Sequence, residues 1–141
     1  MENKKINITK GLKEQLLQHA REALPYEACG VISGTSENGP LYFYPARNEL
    51  QSSTRYHIDP HDLYRIIMDI EEKGHEIWGI FHSHPASPAY PSETDLKLNY
   101  YPDAYFLIAS FADAKNPFLR AFKVAGRQVE EEKIIIKIRP I

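Results

Sequence analysis

Apolar residues recur along the chain with two periods. Leu12, Leu16, Leu17, Ala20 and Leu24 fall at helical spacing, which predicts an amphipathic helix running to about Ala23 with these side chains as its buried stripe. Thr9 stands where an N-cap belongs and Pro25 ends the segment. Leu63, Ile66, Ile67 and Ile70 repeat the pattern from about Pro60 to Lys73. Pro60 suits a first helical turn and Gly74 a C-terminal stop. The remaining apolar runs have strand length. Lys5–Ile8 alternates. The apolar part of Tyr26–Gly34 reads as a central strand closed by glycine, and Leu41–Tyr44 as its partner beyond the turn at Glu37–Pro40. Ile77–Phe81 reads as buried, as do Ala104–Ser110 and Phe118–Val124. Arg127–Glu131 and Lys133–Ile138 are expected as two closing strands, and Arg55–Pro60 as a short one. The polar stretch Arg47–Thr54 is expected to be a surface loop. These elements predict an α/β fold, a mixed β-sheet flanked by two main helices, with a short third helix over Ser92–Asn99. No repeat, low-complexity stretch or boundary interrupts it, so residues 1–141 are expected to form one domain.

The stretch Gly79–Asp95, GIFHSHPASPAYPSETD, breaks the apolar pattern in a way that carries chemistry. The buried run ends in His82-Ser83-His84. Residues two apart in a strand share a face, so His82 and His84 project together from a sheet edge, and Ser83 faces the other side. Pro85 has no N–H and stops the ladder. Pro85, Pro88 and Pro91 stiffen the loop that returns Asp95 toward the imidazoles. Two His and one carboxylate are a typical open set for catalytic zinc, with the fourth position left for water. A structural His pair is the alternative. Ser92-x-x-Asp95 also resembles a helix capping box; a residue that only caps would be exposed and replaceable by Glu.

His82-Ser83-His84-Pro85, then Ser92 with seven residues between it and His84, then Asp95 after two more, resemble the signature of the JAMM (MPN-plus) zinc isopeptidase family, with every position filled and the spacing unbroken. The resemblance implies the JAMM/MPN, cytidine-deaminase-like layout over essentially the whole chain. It implies Zn2+ on His82, His84 and Asp95, and the Ser92 hydroxyl as a stabiliser of the reaction's oxyanion. It extends upstream, where Pro25–Gly30 is similar to the family segment that carries the general base. That role carries over to Glu27, which would deprotonate the metal water and pass the proton to the leaving amine. Taken by itself, an acid before a buried strand reads equally well as solvated. Arg55–Pro60 is similar to the family's segment before the second helix.

Cys29 offers a rival chemistry, as a thiolate with His82 or His84 as base. Nothing near it in sequence would lower its pKa, and a free cysteine behaves as a small buried hydrophobe. His19, His57, His61 and His75 lie outside the signature and are expected on the surface or in packing roles.

Composition narrows the partners. Acids (19) and bases (17) nearly cancel to a net charge of −2, and no basic block interleaved with aromatics suggests nucleic acid. No apolar run approaches the roughly 18 residues that span a bilayer, and the N-terminus has no signal-peptide core. One cysteine allows no internal disulfide, which suits a reducing, cytoplasmic setting. Family members cleave bonds next to the C-terminal Gly-Gly of ubiquitin-like proteins. The short segment after Asp95 leaves no room for a large ubiquitin-gripping insertion. The chain therefore resembles compact prokaryotic members that act on ubiquitin-like sulfur-carrier proteins, and such a carrier is the expected partner. The oligomeric state is open, with a homodimer among the options. The competing reading is a non-catalytic MPN-type scaffold, which would purify without stoichiometric metal.

Overall fold

The computed structural model describes residues 4–138. Residues 1–3, where the signal-peptide reading begins, and 139–141 lie outside the described residues. The elements run β1 (Lys5–Thr9), α1 (Lys10–Ala23), β2 (Cys29–Thr35), β3 (Gly39–Ala46), α2 (Pro60–Glu72), β4 (Glu76–His84), α3 (Glu93–Lys97), β5 (Tyr105–Ser110), β6 (Phe118–Ala125) and β7 (Gln128–Lys137). The strands form one sheet of order β1-β7-β6-β5-β4-β2-β3. β1 lies parallel to β7 and β4 parallel to β5, while the other pairs are antiparallel. The α/β mixed sheet expected from periodicity is what forms.

Strand alternation divides the core between two faces. On one, Leu12, Leu16 and Ala20 of α1 pack with Ile32, Phe81 and Leu107. On the other, Ile66 and Ile70 of α2 pack with Val31, Ile80, Phe106 and Ile108. β4 shows the switch residue by residue, since Ile80 belongs to the α2 face and Phe81 to the α1 face. His82 and His84 continue the Ile80 parity at the C-terminal end of a parallel strand pair, where α/β sheets present their sites.

The helix ends follow their local chemistry. Thr9 caps α1 by accepting the Leu12 N–H at 3.1 Å. Asp59 caps α2 through the His61 and Asp62 N–H groups, and Gly74 leaves α2 at φ +71°. Gly30 sits where backbones crowd, since a Cβ there would come within 2.6 Å of the Phe43 ring and of the Tyr44 carbonyl oxygen.

Four expectations are corrected. The two closing strands are one, β7, because Glu132 continues the ladder with its carboxylate buried against the Tyr105 hydroxyl at 3.0 Å. Arg55–Pro60 is no strand; only Asn48 and Ile58 form an isolated bridge there. Leu24 is 38% exposed and outside the α1 stripe, because the helix stops at Ala23 and the chain turns away into Pro25. The third helix is a single turn, Glu93–Lys97.

Candidate metal and catalytic site

β4 ends by presenting His82 and His84 side by side, fully buried and 3% exposed respectively. The Pro85–Pro91 loop then reverses and brings Asp95 onto them. Asp95 Oδ2 lies 3.0 Å from His82 Nε2 and 3.2 Å from His84 Nε2, and the two Nε2 atoms are 3.2 Å apart. The capping-box and ligand readings of Asp95 prove compatible. Its Oδ2 accepts the Ser92 N–H at 2.9 Å while the Ser92 hydroxyl accepts the Asp95 N–H at 3.0 Å, and the carboxylate is nonetheless buried. The cap fixes the residue that the imidazoles meet.

Glu27 lies two residues before β2. Its carboxylate is buried, 3% exposed, and Oε1 has no hydrogen-bond partner among the described residues. Glu27, His82 and His84 each offer a ligand atom within 4.8 Å of the others. The segment that carries Glu27 is fastened at three points. Ser83 Oγ accepts the Ala28 N–H at 2.8 Å, as expected of a residue facing away from the imidazoles. Glu27 N–H donates to the Ser52 carbonyl at 2.7 Å. Asn48 Nδ2 donates to the Glu27 carbonyl at 3.1 Å. Asn48 also donates to the Arg55 carbonyl and accepts the Leu50 and His57 N–H groups. It is buried, within the Arg47–Thr54 stretch whose polarity predicts a surface loop. An Asn able to satisfy four scattered backbone groups is the one local signal that could have singled it out.

The electrostatics of the site divide the two carboxyls. Burial, opposed by His84 and reinforced by Asp95, pushes the Glu27 pKa up to about 8. Burial acts upward on Asp95 too, but hydrogen bonds from His82 and His84 outweigh it and hold the carboxyl far below its ordinary range. Burial lowers the His82 pKa. Burial also works to lower that of His84, yet the Asp95 carboxylate and the Pro88 carbonyl win and raise it. A carbonyl only accepts, so His84 Nδ1–H donates to Pro88 at 2.7 Å, which makes Nε2, facing Asp95, the nitrogen that would give up its proton to a cation.

The donor set fits a divalent ion. Tetrahedral ligands at the usual zinc–nitrogen distance stand about 3.3 Å from one another, close to the triangle of 3.0, 3.2 and 3.2 Å formed by Asp95, His82 and His84. Nitrogen and oxygen donors of this kind suit zinc and other first-row ions.

A profile of the family described as prokaryotic homologs of the JAB domain matches residues 9–124. The chain belongs to that family. Among curated relatives it is 34% identical over 128 residues to the CysO-cysteine peptidase of Mycobacterium tuberculosis, covering 90% of this chain and 88% of that protein. It is 31% identical over 116 residues to the desampylase of Haloferax volcanii, covering 78% and 84%. The solution structure of protein DSY2949 from Desulfitobacterium hafniense superposes with a TM-score of 0.86 at 37% identity over 95% of this chain and 94% of that one. The JAB assignment agrees with the resemblance carried by the His82–Asp95 signature.

The other candidates fall elsewhere. His57 and His61 are exposed. His75 stacks on Tyr42 with ring centroids 5.8 Å apart, and His19 Nε2 donates to the Cys29 carbonyl at 2.9 Å. Cys29 is wholly buried, and burial pushes its thiol up to about 12, which removes the thiolate alternative. No helix among the described residues is long and apolar enough to cross a membrane.

Proposed function

We propose that this JAB-family chain is a zinc-dependent peptidase or isopeptidase that cleaves the bond after the C-terminal Gly-Gly of a ubiquitin-like or sulfur-carrier protein. The convergence of Asp95 Oδ2 on both Nε2 atoms, with Glu27 beside them, is the observation that carries this reading. Relatives named as a CysO-cysteine peptidase and a desampylase support the substrate class.

In this reading His82, His84 and Asp95 hold the metal. Bound zinc supplies a Lewis acid and a water whose pKa falls to about 7. Glu27 takes the role of base, which the resemblance of Pro25–Gly30 implies for it; its buried Oε1 has no hydrogen-bond partner among the described residues, and its carboxylate offers an atom within 4.8 Å of both imidazoles. Close to a cation its raised pKa falls, so the carboxylate can take a proton from attacking water and return it to the leaving amine. The Ser92 hydroxyl accepts the Asp95 N–H, so its own proton is available to the substrate carbonyl oxygen as that oxygen gains charge. Ser83, Ser52 and Asn48 hold the Glu27 backbone still meanwhile. A scaffold would need none of this donor set. The single buried thiol supports a reducing, cytoplasmic setting for one domain of this kind.

Mass spectrometry tests the proposal. A sulfur carrier extended by one residue beyond Gly-Gly is incubated with zinc-loaded protein and with Glu27→Gln. Loss of the added residue with wild type alone is expected. An intact tail across several carriers and extensions would count against the reading.

A further inference from the structure

The two imidazoles at the site are supported differently. His84 has the usual outer partner, the Pro88 carbonyl on Nδ1. Metal-binding histidines are ordinarily oriented this way, by a hydrogen bond from the nitrogen that faces away from the ion. His82 Nδ1 is buried and has no partner among the described residues. Its ring is instead enclosed by aromatics. Tyr56 stacks on it with centroids 4.5 Å apart and planes 21° from parallel. Phe106 meets it edge-on at 6.1 Å and 89°.

We propose that Tyr56 is a positioning residue for the metal site, whose ring, in place of a hydrogen bond, holds the His82 imidazole with Nε2 turned toward Asp95 and His84. A near-parallel stack opposes tilting of the imidazole about χ2, the torsion that would swing Nε2 out of the ligand triangle. Phe106 blocks the orthogonal movement. Tyr56 is itself held on both sides by one residue. Asn48 Nδ2 donates to the Arg55 carbonyl at 3.0 Å and Asn48 Oδ1 accepts the His57 N–H at 3.0 Å, so the peptide on each flank of Tyr56 is anchored. The same Asn48 binds the Glu27 carbonyl. One buried amide thus sets both the proposed base and the ring that backs a proposed ligand. The Tyr56 hydroxyl plays no part, so the stack should survive its removal.

This inference rests on His82 being a metal ligand. It is tested by zinc affinity, measured by competition with a chromophoric chelator, for wild type, Tyr56→Phe, Tyr56→Leu and His82→Ala. The cobalt absorption spectrum of each provides a second readout, since it follows ligand geometry. Tyr56→Leu should bind zinc 10–100-fold more weakly, the range typical when a ligand's outer support is lost. Tyr56→Phe should stay within about threefold of wild type by the same reasoning, because it keeps the ring. Tyr56→Met replaces Leu should the latter not fold. The Tyr56 proposal is overturned by wild-type affinity and an unchanged cobalt spectrum in the Leu or Met variant. It is equally overturned by a Phe variant as weak as Leu. Wild-type affinity in His82→Ala would instead sink the metal assignment beneath it. Loss in His82→Ala with full affinity in Tyr56→Leu would leave that assignment intact and remove only Tyr56 from it.

Discussion

Asn48 reaches across 21 positions to donate a 3.1 Å hydrogen bond to the carbonyl oxygen of Glu27. The contact ties the strand-entry segment that carries the proposed base to the loop before α2. With its three other backbone partners, it makes Asn48 the internal brace of that loop. Removing it leaves buried donors and acceptors unpaired, each costing about 1–3 kcal/mol where water cannot replace the amide. Asn48→Ala should therefore lower stability by about 2–4 kcal/mol in urea unfolding, the exposed partners recovering part of the loss. Asn48→Asp keeps the two acceptor contacts but sets a buried carboxylate oxygen against the Glu27 and Arg55 carbonyls, so it should be at least as destabilising as Ala and should also lose turnover through Glu27. An Ala variant as stable as wild type would show that the loop braces itself without the amide.

The metal-free protein should carry a pH signature of Glu27. In the unfolded chain this carboxyl ionises near 4.5, and in the fold only at about 8. Between those values the folded state holds a proton that the unfolded chain has released. Stability from this group is complete below the lower value and is lost as pH rises through the upper one. His82, with its lowered pKa, acts in the opposite sense near neutrality, so the wild-type curve alone is ambiguous. The difference from Glu27→Gln isolates the effect. Chelator-treated wild type should lose ground to the Gln variant steadily from pH 5 to 8, followed by denaturant midpoint. A constant difference across that range would mean that Glu27 is ionised in the fold without a cation.

Ser92 combines a cap and a proposed catalytic donor, and substitution can separate them. Glycine is tolerated at an N-cap with a loss of only a few tenths of a kcal/mol, whereas alanine costs about 1 kcal/mol. Neither has a hydroxyl to give. Ser92→Gly should retain the α3 turn, and with it Asp95 and metal affinity, yet lose on the order of 10²–10³ in kcat. Ser92→Thr should keep both functions in large part. Full turnover in Ser92→Gly would remove the hydroxyl from the reaction.

How much of this could be read from the chain depends on sequence distance. His82 and His84 share a face by strand parity, and Ser92 with Asp95 follow from capping geometry, so both pairs are visible in local pattern. Glu27 is not; only the family likeness of Pro25–Gly30 separates it from any acid before a strand. Tyr56 and Ser83 act through partners 26 and 55 positions away, His82 and Ala28, and no periodicity records such pairings. Glu132 misled in the other direction. Within the charged run Glu130–Lys133 it reads as a break between two strands, and only its burial against Tyr105 shows why β7 continues. Leu24 matched the helical period after the helix had already ended.

Cys29 provides a test of what the site is not. Its thiol is buried, pushed up to about 12 chiefly by burial and further by the neighbouring acids Asp62, Glu27 and Asp59. Its Sγ lies 3.8 Å from the Ala46 carbonyl, consistent with a packing role between β2 and β3. Native protein at pH 8 should give no colour with a thiol-exchange reagent, and one equivalent after denaturation, since only a thiolate reacts at useful rates. Cys29→Ala should cost about 1–2 kcal/mol in stability for the atom and space lost from the core. Its peptidase turnover should stay within a few-fold of wild type, because no bond in the proposed reaction involves sulfur. Abolished turnover in a folded, zinc-loaded Cys29→Ala would return the thiolate to consideration and displace Glu27 from its role.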